Sequence, residues 1–124
     1  MDKKERIARV KRILLPRSEY YRLDGRIPVP CDRKTWAEQA IGTHVAVTEN
    51  DGLTISTVFL GLDHSHGGPD PMLFETMIFG PGYSEGVNPV EYQTRCSTWE
   101  EAEEMHAKAC KTVGIPWMKP PQNV

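Results

Sequence analysis

A β-hairpin signal at the middle of the chain constrains its fold more than any other feature. Residues 44–49 (HVAVTE) alternate with period two, and residues 53–60 (LTISTVFL) are rich in β-branched and aromatic side chains. Between them stands Asn50-Asp51-Gly52. Asp and Gly tolerate the positive φ angles of a tight two-residue turn, so the two runs are expected to pair antiparallel.

The pattern continues downstream. Residues 72–79 (MLFETMIF) predict a third strand, with Phe74 and Ile78 on one face and Leu73, Met77 and Phe79 on the other. Apolar residues on both faces predict a central strand covered on both sides. A Gly/Pro-rich stretch, residues 80–89, separates it from a fourth strand over residues 90–96.

Helices are expected at both ends. Residues 98–113 place Trp99, Ala102, Met105, His106, Ala109 and Val113 on one face, and Glu100, Glu103, Glu104, Lys108 and Lys111 on the other. Acids lead this helix, lysines close it, and Gly114 then Pro116 end it. Its start, TWEEAE, echoes TWAEQA at residues 35–40. In both, Thr is followed three places on by Glu, so Thr35 with Glu38 and Thr98 with Glu101 predict two capping boxes. Residues 2–15 carry Ile7, Val10 and Leu14 at helical spacing, and Pro16 stops that run. Residues 19–30 (EYYRLDGRIPVP) predict extended chain with a turn at Asp24-Gly25, kept irregular or at a sheet edge by Pro28 and Pro30.

The expected architecture is therefore α+β: an antiparallel meander of about four strands, with a C-terminal amphipathic helix and short N-terminal helices packed on it. At 124 residues it is expected to be one domain. Residues 1–18 form a basic arm, residues 19–114 the core and residues 115–124 a Pro-rich tail loosely held apart from Trp117.

No apolar run approaches the roughly 20 residues of a spanning helix, so no membrane partner is expected. The charged start MDKKERIARVKR lacks the hydrophobic region of a secretory signal. Cys31, Cys96 and Cys110 are three cysteines at unrelated spacing, which predicts free thiols and a cytoplasmic location. Charge is uneven: residues 1–34 hold eleven Lys/Arg against five Asp/Glu, and the remainder four against twelve. A basic arm of this kind, residues 3–34, predicts either contact with nucleic acid or packing on an acidic body, its own or that of a second subunit in a homodimer.

The chemistry-bearing residues gather around GLDHSHGGPD, residues 61–70. His64 and His66 in an extended segment present two imidazoles to one divalent metal, with His106 as a further ligand. Asp63, His64, Glu75 and His106 together suffice for acid–base or metal-assisted hydrolysis. The structural alternative is that Asp63 bonds the backbone of its own turn, His106 is a hydrogen-bonded core histidine, and Glu75 pairs with Arg95 or a neighbouring hydroxyl. On that alternative no cofactor is needed. Arg22, Arg26, His64, His66 and Tyr83 are the candidate contacts for a ligand or partner. Phosphate-binding loops, a nucleophile elbow and a dinucleotide fingerprint are absent from the sequence, and neither Cys96 nor Cys31 has a base beside it.

The segments STVFLGLDH (56–64), LFETMIFG (73–80) and STWEEAEEMH (97–106), with YYRLDGRIPVPCDRKTWAEQ (20–39) before them, resemble a group of small uncharacterised proteins encoded by tailed bacteriophages and prophages. The resemblance covers roughly residues 20–110. It implies a genetic setting, and a host-cell cytoplasm as the location, without implying an activity. Proteins of this group often carry an aromatic residue where His66 stands, which weakens the His-x-His metal pair. Asp63, His64, Glu75 and His106 lie within the matched segments. The expectation is a small accessory protein that binds a host protein or small ligand, in host takeover or against host defence. The alternatives are a hydrolase built on the Asp63–His64–His106 set and a nucleic-acid-associated protein using the arm.

Overall fold

The computed structural model describes residues 2–4, 18–39, 43–83 and 91–120. The expected N-terminal helix over residues 2–15 falls largely outside these residues, as do most of the second Gly/Pro loop and the end of the tail. What is described is α+β. A hairpin, β1 (Tyr20–Asp24) and β2 (Ile27–Cys31), leads into a short helix α1 (Arg33–Gln39). Then come β3 (His44–Asn50), β4 (Leu53–Phe59), β5 (Phe74–Phe79), β6 (Tyr92–Cys96) and the long helix α2 (Trp99–Thr112).

Strands β3 to β6 form one antiparallel sheet in chain order, the expected meander. Its first turn is the one the sequence signals: Asn50 pairs with Leu53, and Asp51 and Gly52 between them have φ of 50° and 80°. Side-chain parity then decides what is buried. Ile55, Thr57 and Phe59 of β4 and Phe74, Thr76 and Ile78 of β5 point to α2 and are buried, and the residues between them are less so.

The fold corrects one expectation about β5. Glu75, Met77 and Phe79 occupy its second face, and Phe79 is 37 % exposed. Neither described helix packs across that face: α2 lies against all four strands of the sheet, and α1 against β1. Leu73 suggested a second apolar face, yet it precedes the strand, where it is buried in the core by the loop rather than by the sheet's outer side.

The core has two parts. Tyr21, Phe59, Leu73, Phe74, Cys96 and Ala102 form one cluster, supported by Trp99 and Met105. Ile55, Ile78, Ala109 and Cys110 form the other, with Tyr92, Val113, Ile115 and Trp117 against it. The helix that joins them starts as expected: the Thr98 hydroxyl accepts the Glu101 N–H at 3.1 Å and donates to the Glu101 carboxylate at 2.9 Å.

The two helix starts are not equivalent, however. In α1 the cap is Asp32, whose carboxylate accepts the Thr35 N–H at 2.8 Å, and Thr35 lies inside the helix. The Thr-to-Glu spacing of TWAEQA is thus one turn too late. Asp ranks above Thr as a cap, and Asp32 stands at the right distance to take that place.

Residues 19–31 form a regular hairpin despite their prolines. Pro28 and Pro30 fall on alternate positions, opposite Leu23 and Tyr21. Alternate residues direct their N–H groups to the same edge, so both missing donors lie on the outer edge of β2. The inner edge is left intact to pair with β1.

Candidate functional site

The loop after β4 is a structural seam. Tyr21 N–H donates to Gly61 O at 2.7 Å, Asp63 N–H donates to Glu19 O at 3.0 Å, and Leu62 bridges Tyr20. Residues 61–63 therefore act as a short strand along the free edge of β1, hanging the hairpin on the main sheet. Farther along that edge, the Gln39 side chain takes the place of a strand, exchanging bonds with Leu23 N–H and C=O at 3.1 and 3.2 Å.

Gly61 is required at the seam. A Cβ there would meet Tyr21 O at 2.7 Å and the Trp36 ring at 2.8 Å, and its φ of 68° is disfavoured for other residues. Trp36 lies over it and donates its indole N–H to Leu60 O at 2.9 Å, with Tyr20 against its ring at 5.3 Å.

Asp63 organises the loop itself. Its Oδ1 accepts the N–H of Ser65 at 2.8 Å and of Met72 at 3.1 Å, closing the loop on both sides. His64 joins through its backbone, donating to Met72 O at 3.0 Å. His66 is exposed and has a left-handed φ of 52°.

His106 belongs to a different place. It is fully buried under the middle of the sheet, with Thr48 Oγ1 2.9 Å from Nε2 and Thr57 Oγ1 2.8 Å from Nδ1. The Thr57 hydroxyl also bonds that of Thr76 on the next strand. Both ring nitrogens are engaged, and burial lowers the imidazole pKa from its ordinary value.

Glu75 is on the opposite face of the sheet. Its Oε2 accepts from Gln93 Nε2 at 2.8 Å and Arg95 Nε at 2.9 Å, both on the neighbouring strand. The predicted constellation of Asp63, His64, Glu75 and His106 is thereby divided among a loop, one sheet face and the other. A metal set of His64, His66 and His106 does not assemble either, because His106 is enclosed by threonines. Among the described residues no group of three or more His, Cys, Asp or Glu side chains is placed to hold a metal ion.

The candidate contact residues are dispersed. Arg22 is in β1 opposite Val29, and Arg26 lies 5.3 Å over the Trp99 ring. Tyr83 packs on the second core cluster. The cysteines are poor nucleophiles: burial, then Glu101, pushes the Cys96 thiol up to about 12, and its S–H points to Thr98 O at 3.6 Å. Burial also raises the Cys31 thiol, with Asp32 adding to it.

Sequence reasoning placed Glu103 on the solvent side of α2. It is 3 % exposed, and burial raises its pKa against the opposing pull of Lys119, Arg26 and the Trp99 indole. The helical spacing of Glu103 with His106 and Cys110 was the available signal.

Sequence reasoning did not single out the outer face of the sheet, which neither described helix covers and which is the bare face among the described residues. Parity and register place Val47, Ser56, Met77 and Gln93 in one row across it. His44, Val58, Glu75 and Arg95 form the next row. Val47 is 48 % exposed at one end and Phe79 lies beside Thr54 in a third row. Comparison with protein-family models, with curated proteins and with solved structures gave no match.

Proposed function

We propose that this chain is a small phage-encoded accessory protein that acts by binding a host protein through the bare face of its four-stranded sheet. The observation that carries this reading is the composition of that face. Val47 and Phe79, two of the exposed large apolar side chains among the described residues, stand on it with Val58 and Met77, interspersed with Ser56, Glu75, Arg95, Gln93, Glu49 and His44. Apolar side chains left exposed together on one face of a fold mark a candidate contact surface.

The dispersal of the catalytic candidates supports the same reading. Asp63 serves backbone amides, Glu75 serves Arg95, and His106 serves two threonines, so each has a structural partner of its own. The resemblance to proteins of tailed phages supplies the setting, and with it a host protein as the partner. Of the two described helices neither is long and apolar enough to cross a membrane.

The test is site-specific photocrosslinking in host extract. A photoreactive residue replaces Val47 or Phe79 on the bare face, or Glu104 on the exposed side of α2. The expected result is one host protein crosslinked from positions 47 and 79 and not from 104. Crosslinks from all three alike, or between two copies of this chain, would overturn the host-protein reading.

A further inference from the structure

The segment after α2 doubles back along the helix. Gly114, at φ 76°, makes the reversal, and Ile115 N–H donates to Cys110 O at 2.9 Å. Trp117 then sets its ring 4.8 Å from the His106 ring, at 64° to it. Lys119 Nζ reaches Glu100 Oε1 at 3.2 Å. Contacts at helix positions 110, 106 and 100, met in that order, define a strap running antiparallel to α2.

His106 lies between this strap and the sheet. A neutral imidazole offers one donor and one acceptor, and the Thr48 and Thr57 hydroxyls satisfy either tautomer. An imidazolium has two donors and a full charge, and among the described residues its two ring nitrogens face only threonine hydroxyls, with no carboxylate bonded to either. On the elements packed around it, β3, β4 and β5 present Thr48, Thr57 and Thr76, while Glu75 is on the far face of the sheet. On α2 the nearby titratable groups are Glu103 and Cys110, and on the strap Lys119, held by Glu100.

We propose that the strap is a latch that closes only over a neutral His106, so that proton uptake by His106 and the lifting of Trp117 from α2 are one event. Opening gives the imidazolium its water. It also frees Ile115 and Trp117 to join Met118, already 88 % exposed, as an apolar segment presented in mildly acidic surroundings.

The sign follows from linkage. Burial holds the closed-state pKa of His106 below the ordinary 6.5, so the open state binds more protons just below that pH. Closing is then fully favoured above about pH 6.5 and weakens as pH falls below it, by at most about tenfold per pH unit, until the closed-state pKa is reached. Glu103 acts in the opposite sense. Its pKa is raised from 4.5 by burial, so it favours the closed form as pH falls through that raised value.

The experiment is hydrogen exchange at the Ile115 amide, which donates to Cys110 O, from about pH 7.5 to about pH 5, corrected for intrinsic exchange, in the full chain. Glu103→Gln serves as the background, which removes the opposing titration. The expected result is an opening constant that rises as pH falls below about 6.5, by at most about tenfold per pH unit, and levels off below the closed-state pKa, with β4 and β5 protection unchanged. In His106→Gln, which keeps a donor and an acceptor without titrating, strap protection is expected to be independent of pH.

Should His106→Gln fail to fold, Trp117→Leu with NMR titration of His106 replaces it, the imidazole pKa being expected to rise toward 6.5. Flat strap protection in the His106 protein, the same pH dependence in His106→Gln, or an unmoved titration in Trp117→Leu would overturn the latch. So would protection that grows in acid, since it would mean that Trp117 stabilises the imidazolium through its ring face.

Discussion

The two faces of the four-stranded sheet both carry polar residues and use them differently. On the covered face, Thr57 and Thr76 are fully buried and bonded to each other, and Thr57 also bonds His106. On the bare face, Gln93 and Arg95 both donate to Glu75 within reach of water. A polar group under a helix must be satisfied by the fold, so its partner becomes part of what holds the fold. A polar group on an open face can be satisfied by solvent and exchanged for a partner molecule. That contrast is the ground for proposing the outer face, and not the covered one, as the contact surface.

The largest test of the contrast uses one strand. Phe74 and Phe79 stand at the two ends of β5 on opposite faces, the first fully buried and the second 37 % exposed. Phe74→Ala is expected to cost about 4 kcal/mol in urea unfolding, and Phe79→Ala less than about 1 kcal/mol. Equal costs would break the comparison.

His106→Ala comes next. It leaves a cavity and removes the shared partner of Thr48 and Thr57, for an expected loss of about 2–3 kcal/mol. The same substitution at exposed His66 is expected to change stability by less than about 0.5 kcal/mol. A smaller loss at His106 than at His66 would mean that the helix does not pack as described.

Asp63→Ala sharpens the account of the loop. Losing the acceptor for Ser65 and Met72 N–H is expected to cost about 1–2 kcal/mol. Because residues 61–63 also hold β1, amide protection in Tyr21 should fall with it. Unchanged protection there would detach the loop from the hairpin.

The smallest test compares the two helix starts. Asp32→Ala and Thr98→Ala are each expected to cost about 1 kcal/mol, and Thr35→Ala a few tenths. A Thr35→Ala cost equal to that of Thr98→Ala would restore the capping frame that TWAEQA suggested.

The fold was largely legible because its signals are local. Asp51-Gly52 fixes the first hairpin, period-two runs fix β3 to β5, and the apolar stripe with Thr98 fixes α2. The prolines hid the β1–β2 hairpin, since a proline penalty says nothing about which edge of a strand loses its donors. Glu103 was misassigned because the groups that reach it, Lys119 and Arg26, come from outside the helix, and nothing in the helix sequence announces them.

The site was less legible for a related reason. Asp63, His64, Glu75 and His106 are close in chemical type and were read together, yet strand parity sends Glu75 away from His106. The bare face carries no motif at all. It becomes visible only when register aligns Val47 with Ser56, Met77 and Gln93.

The most direct measurement is the affinity for the crosslinked host protein in three proteins of known unfolding midpoint: the unsubstituted chain, Phe79→Asp and Asp63→Ala. If the bare face binds and the loop only holds the fold, Phe79→Asp stays folded and loses the partner. Asp63→Ala is then less stable yet binds in proportion to its folded fraction. Binding retained in folded Phe79→Asp, or lost in folded Asp63→Ala, would contradict the account and return the contact surface to the loop.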